Sequence, residues 1–185
     1  MASTVEIANQ ALIRVGSESI LSLTDATERA RACNASWPFV RREVLRSHSW
    51  NSVTTRVKIA ELVDAPSWGW DTAYQVPSDS LRILEVDTTY QWRIEGDEIL
   101  TDGTGELSIR YLKDETDTEQ YDAGLTELMV LRLAVEIVER ITDSTTKRTE
   151  LLNDYLMLLS EAKADDGEEQ SPSEFEEDSW VTARS

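Results

Sequence analysis

The spacing of apolar residues changes twice along the chain, and this constrains the fold more than any other feature of the sequence. Up to about residue 50, apolar residues recur every three or four positions, as on one face of a helix. From residue 53 they alternate with polar residues, as in half-buried strands, and beyond residue 124 the helical spacing returns. We therefore predict an α+β fold, a helical bundle of four main helices with an inserted antiparallel β-sheet and an extended acidic C-terminal tail.

These changes divide the chain into three predicted parts. Residues 1–52 and 121–164 are expected to form one helical domain, and residues 53–120 an inserted antiparallel β domain. Residues 165–185 are expected to form an extended C-terminal tail. The first fourteen tail residues hold eight carboxylates and no Lys or Arg, and such charge density disfavours compact structure.

Two helices are predicted before the strands. Residues 4–15 have an amphipathic pattern that Gly16 ends. A second helix is predicted from Thr24 to about Ser49. Because proline removes a backbone donor and clashes with the preceding turn, we expect Pro38 to kink or break this helix.

The strands are predicted to form one antiparallel sheet. Gly96-Asp97 separates two of them and fits a two-residue hairpin, since glycine readily adopts positive φ. The predicted strands are residues 53–59, 73–76, 81–86, 90–95, 98–101 and 106–112.

Two further helices are predicted after the strands, at residues 125–141 and 145–164. The apolar arc of the first spans roughly 220° at about 100° per residue, which leaves charged side chains only a narrow stripe. Such a helix needs cover on two sides, which one small domain can barely supply, and a neighbouring subunit could supply the remainder. Its charged residues also argue against a membrane span.

The net charge of −18 excludes a domain that grips nucleic acid through its phosphates. Residues 1–60 carry 8 basic and 5 acidic side chains, whereas residues 61–185 carry 10 basic and 31 acidic ones. The first third is therefore suited to a different partner from the remainder.

The sequence contains no recognisable catalytic, cofactor-binding or metal-binding motif. Cys33 is interpreted as a buried small apolar residue, and His48 as a residue that bonds the last carbonyls of its helix. A single cysteine and the absence of a signal peptide indicate a reducing, intracellular compartment. The alternative is an acidic hydrolase with two carboxylates, for which Asp97/Glu98 and Asp114/Glu115 are candidates in predicted turns.

A basic cluster near the end of the second helix consists of Arg41, Arg42 and Arg46. Two alternatives remain open for it. One is pairing within the chain, with Glu43 and with Glu136 or Glu139. The other is contact with a phosphate or with an acidic patch of another chain.

Phe175 lies within the acidic run near the C-terminus, and Trp180 follows that run. Large apolar residues beyond an acidic spacer are typical of an anchor that enters a groove elsewhere. The two alternatives are docking onto another chain and folding back onto the same subunit.

Several short motifs occur together in a fixed order between residues 7 and 165. They are ALIRVG at 11–16, LTD at 23–25, VRREVLRSHSWN at 40–51, WGW at 68–70, AYQVPSDSLR at 73–82, EGDEILTD at 95–102 and IRY at 109–111. The ordered set resembles the tail tubular protein A family, the head-to-tail adaptors of short-tailed phages (podoviruses). Pro38 and Ser49 depart from the family pattern.

The resemblance implies a non-enzymatic virion protein of the tail or neck, present in the host cytoplasm before assembly. It implies a ring, usually of twelve subunits, between the portal protein and the tail nozzle, a tail tubular protein B-like partner. Double-stranded DNA would pass through the lumen without sequence-specific binding, and no cofactor or membrane would be involved. The alternative connector is the head-completion protein of long-tailed phages, which usually lacks so large a sheet insertion.

Overall fold

Helices lie at both ends of the chain and strands lie between them. The computed structural model describes residues 2–168 and has mixed helix and sheet architecture. Its elements are α1 (Thr4–Val15), α2 (Glu28–Arg46), β1 (Thr54–Ile59), β2 (Thr72–Gln75), β3 (Ser80–Asp87), β4 (Trp92–Glu95), β5 (Glu98–Thr101), β6 (Leu107–Lys113), α3 (Ala123–Thr142) and α4 (Thr145–Glu168), with short 3₁₀ turns at Asn51–Val53 and Thr118–Gln120.

Helix α1 has the predicted bounds because both of its ends are capped locally. The Ser3 hydroxyl accepts the Glu6 amide at 3.2 Å, and the Glu6 carboxylate accepts the Ser3 amide at 2.6 Å. Gly16 ends the helix with φ +78°, a left-handed conformation that suits glycine.

Helix α2 is shorter than predicted at both ends. Thr27 is the N-cap, with its hydroxyl accepting the Ala30 amide at 3.2 Å. Asp25 instead accepts the amides of Leu21 and Ser22 in the preceding loop. Because Asp25 binds the loop in this way, the helix starts at Glu28 rather than at the predicted Thr24.

Pro38 does not break α2. The helix continues from Glu28 to Arg46 with the proline inside it. Trp37 and Val40, on either side of Pro38, are both buried in the helical core. We infer that this packing offsets the loss of one backbone hydrogen bond.

The strands form two small antiparallel sheets rather than the single sheet that was predicted. Their orders are β1-β6-β3 and β2-β5-β4. Tyr74 and Ile99 of the second sheet share an apolar cluster with Ile109 and Tyr111 of the first. Two sheets that face each other bury both inner surfaces, which one open sheet cannot do by itself. The predicted hairpin is confirmed, with Gly96 at φ +63° between β4 and β5.

Helix α3 is covered by its own chain. It contacts α1, α2 and α4, and residues on several sides of it, such as Val130, Leu131 and Val135, are buried. A neighbouring subunit is therefore not needed to cover this helix. The structured chain supplies three helices around α3, more cover than the sequence pattern alone suggested.

The helices and the sheets have separate apolar cores that meet at one end of β6. Leu112 belongs to the helical core, and Leu81 and Leu84 of β3 pack against that core. The predicted domain boundaries after residues 52 and 120 stay predictions. Helix α4 continues to Glu168 instead of ending at residue 164, and the rest of the predicted tail lies outside the described residues.

Candidate interaction surfaces

Arg41 and Arg42 bind the same carboxylate. Nε and Nη2 of Arg41 donate to Asp114 at 2.9 and 3.0 Å, and Nε of Arg42 donates to it at 2.9 Å. Arg41 is 8% exposed, whereas the Arg42 side chain is 56% exposed. Because Asp114 directly follows β6, these contacts join α2 to the strands.

Two more guanidinium groups cross the junction between α2 and β3. Arg46 donates to the carbonyl of Leu81, and Arg82 donates to the Ser49 hydroxyl at 3.0 Å. Within the described part of the chain, neither Arg46 nor Arg82 forms an ion pair with a carboxylate. The C-terminal end of α2 therefore has more positive than negative charge.

The carboxylates expected to neutralise the basic cluster bind other groups. Glu43 and Glu136 both pair with Arg132, at 2.8 and 3.0 Å. Glu139 lies 3.8 Å from Arg148. Asp114 was missed in this role because it is separated from Arg41 by 73 positions, and no local pattern links them. Contact of the cluster with another chain stays a prediction.

One face of α2 combines an exposed aromatic ring with two cations. Phe39, Arg42 and Arg46 are spaced at i, i+3 and i+7, which places them on the same side of a helix. Phe39 is 73% exposed. We call these three residues the α2 stripe. Phe39 was not predicted as a contact residue, although its helical spacing from Arg42 and Arg46 was a usable signal.

Strand β4 forms an exposed edge of its sheet. It pairs only with β5, and all four of its residues are exposed. Trp92 and Ile94 alternate with Arg93 and Glu95, and the two apolar side chains are 42% and 43% exposed. Such an edge offers unpaired backbone groups and apolar contact area to a partner.

A groove lies on the face of the β4–β5 hairpin that carries Arg93 and Glu95, beside the aromatic loop at residues 66–70. Its volume is about 470 Å³, and the side chains of Trp68 and Trp70 form one wall. Arg93, Glu95 and Glu98 provide charged groups on the sheet side. The mixed charges give the groove no strong preference for an anion or a cation.

The outer face of the β1-β6-β3 sheet has a second depression, of about 440 Å³. Arg56, Lys58 and Arg110 line it together with Glu85 and Asp87. Glu85 lies 2.9 Å from Nε of Arg110. This surface is polar and nearly balanced in charge.

Cys33 and His48 are the single cysteine and the single histidine of the chain. Cys33 is fully buried, and burial raises the pKa of its thiol to about 11. The prediction of a buried apolar role for Cys33 is confirmed. The His48 ring packs edge-on against Trp50, with centroids 4.9 Å apart.

Members of both candidate carboxylate pairs make polar contacts within the fold. A hydrogen bond from Lys113 lowers the pKa of Glu115, and Asp114 is held by two arginines. Asp97 accepts a hydrogen bond from the Gln75 amide at 3.0 Å in the hairpin turn. Among residues 2–168, no group of three or more His, Cys, Asp or Glu side chains is placed to hold a metal ion.

No helix in the described part of the chain combines the length and apolar character needed to cross a membrane. The predicted contact residues Phe175 and Trp180 lie outside the described residues.

Comparison of the sequence with protein-family models gives no match, and comparison with curated proteins gives no significant one.

Proposed function

We propose that this chain is a non-enzymatic virion protein, a head-to-tail connector that forms a ring between the portal protein and the tail nozzle. The observation that carries the proposal is the ordered set of motifs between residues 11 and 111. Each motif is short, but their order and spacing together resemble the podovirus adaptors.

Contacts made by the motif residues support this proposal. Gly16 caps α1, Gly96 forms the β-hairpin, and Arg41 binds Asp114. The Tyr111 hydroxyl donates to Asp79 at 3.1 Å, which joins two of the motifs directly. The resemblance therefore rests on residues that connect elements of the fold, and such residues define a family's architecture.

In the proposed assembly, the four helices form a bundle beneath the portal and the strands face the nozzle or the outside. In this proposal the acidic tail beyond α4 ties subunits or the portal together. A closed ring requires one surface of each subunit to meet a different surface of the next. Since α3 is already covered, we assign this role to exposed apolar residues elsewhere, which include Ile13, Leu21, Leu156 and Met157.

The charge of the chain suits DNA as a passenger. A net charge of −18 disfavours lasting contacts with phosphates, so a duplex in the lumen would be free to slide. In this proposal the ring lies at the virion neck, and DNA passes through it during retention and ejection.

The test is to mix the purified chain with the portal of the same virus and to measure particle mass and image the particles by electron microscopy. Twelve copies of a 20.9 kDa chain add about 250 kDa to each portal as a closed ring. An unrelated acidic protein of similar size serves as the control for nonspecific adsorption.

The outcomes separate the rival functions. A ring that also binds a nozzle protein supports the podovirus connector, whereas a ring that binds only long-tailed phage components supports a head-completion protein. Failure to bind any portal, together with cell-wall cleavage that one Asp or Glu substitution abolishes, would establish the hydrolase instead.

A further inference from the structure

The end of α2 has uncompensated positive charge on an otherwise acidic molecule. Arg41, Arg42, Arg46 and Arg82 surround the α2–β3 junction, and among residues 2–168 their contacts include a single carboxylate, Asp114. Arg46 and Arg82 bind a carbonyl and a hydroxyl oxygen, and these neutral groups do not offset the positive charge of a guanidinium. This junction therefore attracts carboxylates.

The α2 stripe adds an apolar contact to this charge. Phe39 lies about one helical turn before Arg42 and two before Arg46, and its ring is largely exposed. A peptide segment that binds the α2 stripe would need carboxylates and a large apolar side chain within a few residues of each other.

The chain itself contains such a segment. Residues 174–180, with the sequence EFEEDSW, place four carboxylates and two aromatic rings within seven positions and include no Lys or Arg. This composition complements the α2 stripe in both charge and apolar character.

The C-terminal end of α2 lies at the same end of the helical part as the N-terminus of α3. Arg140, late in α3, binds Glu28 at the start of α2 at 2.6 Å. Arg132, in the middle of α3, binds Glu43 in the second half of α2 at 2.9 Å. The two helices are therefore antiparallel.

The end of α4 reaches this same region. A Cβ on Gly124, at the start of α3, would lie 3.9 Å from the Cβ of Ala162. Phe175 is seven residues beyond the end of α4 at Glu168, a span of up to about 24 Å when extended. Trp180 extends the reach to roughly 40 Å.

We propose that residues 174–180 dock onto the α2 stripe of the same chain. Their carboxylates pair with Arg42, Arg46 and Arg82, and an aromatic ring of the segment packs against Phe39. This inference is independent of the proposed function, because it concerns the free chain.

The experiment uses the full chain with a nitroxide attached at Ser179→Cys. Cys33 is buried, so labelling of the folded protein occurs at the new cysteine. At low salt, we expect the NMR signals of Phe39 and Arg46 to be lost through paramagnetic relaxation. High salt restores them, because screening weakens the ion pairs.

Matched substitutions test the charge pairing. Arg82→Gln and Arg46→Gln should restore the Phe39 signal at low salt, whereas Lys58→Gln and Arg93→Gln, which remove exposed cations from the strands, should not. Unchanged signal dispersion in each variant confirms that the fold is retained.

Two results would overturn the proposal. The first is full intensity of the Phe39 and Arg46 signals at low salt. The second is equal signal loss in a mixture of spin-labelled chains with isotope-labelled, unmodified ones, since the occupant would then be a second copy.

Discussion

Asp114 accepts hydrogen bonds from one buried and one half-exposed guanidinium group. Arg41 has little access to water, so its charge depends on this carboxylate for compensation. Arg42 uses the same carboxylate but remains accessible to solvent. The energetic importance of the two contacts should therefore be unequal.

We predict that Asp114→Asn lowers the free energy of unfolding by about 3 kcal/mol, because it leaves Arg41 buried without a counter-charge. Arg42→Gln should cost only about 0.5 kcal/mol, since its ion pair is partly exposed. Urea unfolding followed by circular dichroism measures both changes.

Asp102→Asn is the matched control for Asp114→Asn. It removes the same charge from an exposed turn after β5 and should change stability by less than about 0.5 kcal/mol. Equal effects of the two substitutions would show that net charge, rather than the Arg41 contact, determines the loss.

Cys33 gives a prediction for alkaline pH. Its thiol must stay neutral in the core, and burial raises its pKa from 9.0 to about 11. The unfolded chain ionises first, so the stabilising contribution is complete below about pH 9 and is lost as pH rises towards 11. Urea midpoints measured at pH 8 and pH 10 should therefore fall more for the wild type than for Cys33→Ala.

Tyr111 and Tyr121 also have raised pKa values, chiefly because of burial. Both tyrosines are present in the wild type and in Cys33→Ala. Only the difference in pH dependence between these two proteins is therefore assigned to Cys33. Identical pH dependences for wild type and Cys33→Ala would contradict the prediction.

The elements that sequence predicted best are those whose ends are fixed by neighbours in the chain. Ser3, Glu6 and Gly16 all lie within or beside α1, and its bounds were predicted. The start of α2 was not, because Asp25 and Thr27 are both competent caps and only the loop contacts favour Thr27.

Strand pairing was predicted less well because it depends on partners far along the chain. Alternation identified each strand, and the Gly96 turn identified the β4–β5 hairpin. Nothing local indicated that β6 would pair with both β1 and β3 while β2 paired with β5. The same dependence on distant partners limits prediction of the surfaces. The helical spacing of Phe39 from Arg42 and Arg46 was visible in the sequence, whereas no local pattern linked Asp114 to Arg41.

Gly16, just after α1, and Gly124, in the first turn of α3, should respond oppositely to substitution by alanine. Gly16 has φ +78°, so Gly16→Ala should lower the free energy of unfolding by about 1–2 kcal/mol. Its Cβ would also lie 3.2 Å from Nζ of Lys147. Gly124 lies inside α3 with ordinary van der Waals space around a Cβ, and Gly124→Ala should raise stability by about 0.5 kcal/mol.

Thermal unfolding of the two alanine variants and the wild type gives the comparison. A Gly16→Ala variant as stable as wild type would mean that the end of α1 rearranges without cost. A destabilised Gly124→Ala variant would mean that the contacts of the new Cβ with Asp122 Oδ1 at 3.4 Å and with Ala162 at 3.9 Å are tighter than these spacings indicate.

At the scale of the whole molecule, the covered α3 changes which surfaces are available for assembly. Sequence pattern identified α3 as apolar on most sides but could not show that α1, α2 and α4 all pack on it. The remaining candidates are the exposed apolar residues of α1 and α4, the edge of β4, and the C-terminal segment. Only the segment couples large aromatic rings to a dense negative charge.

In the proposed connector, Trp180 anchors the C-terminal segment to the portal. Removal of residues 165–185 should leave a folded chain that binds portal particles more weakly. Trp180→Ala alone should account for much of the loss, about 30-fold in Kd, since a buried aromatic anchor is typically worth 2 kcal/mol or more. Binding of fluorescently labelled chain to purified portal measures the change.

Two further variants make this portal prediction specific. Trp68→Ala removes an equally large ring from an exposed loop and should leave portal affinity unchanged. Arg82→Gln weakens the docking of the segment on its own α2 and removes the contact with Ser49. It should maintain or raise portal affinity, because a released segment is available to the portal. If Trp180→Ala and Trp68→Ala bind the portal as tightly as wild type, Trp180 is not the anchor, and the connector must be held by its helices.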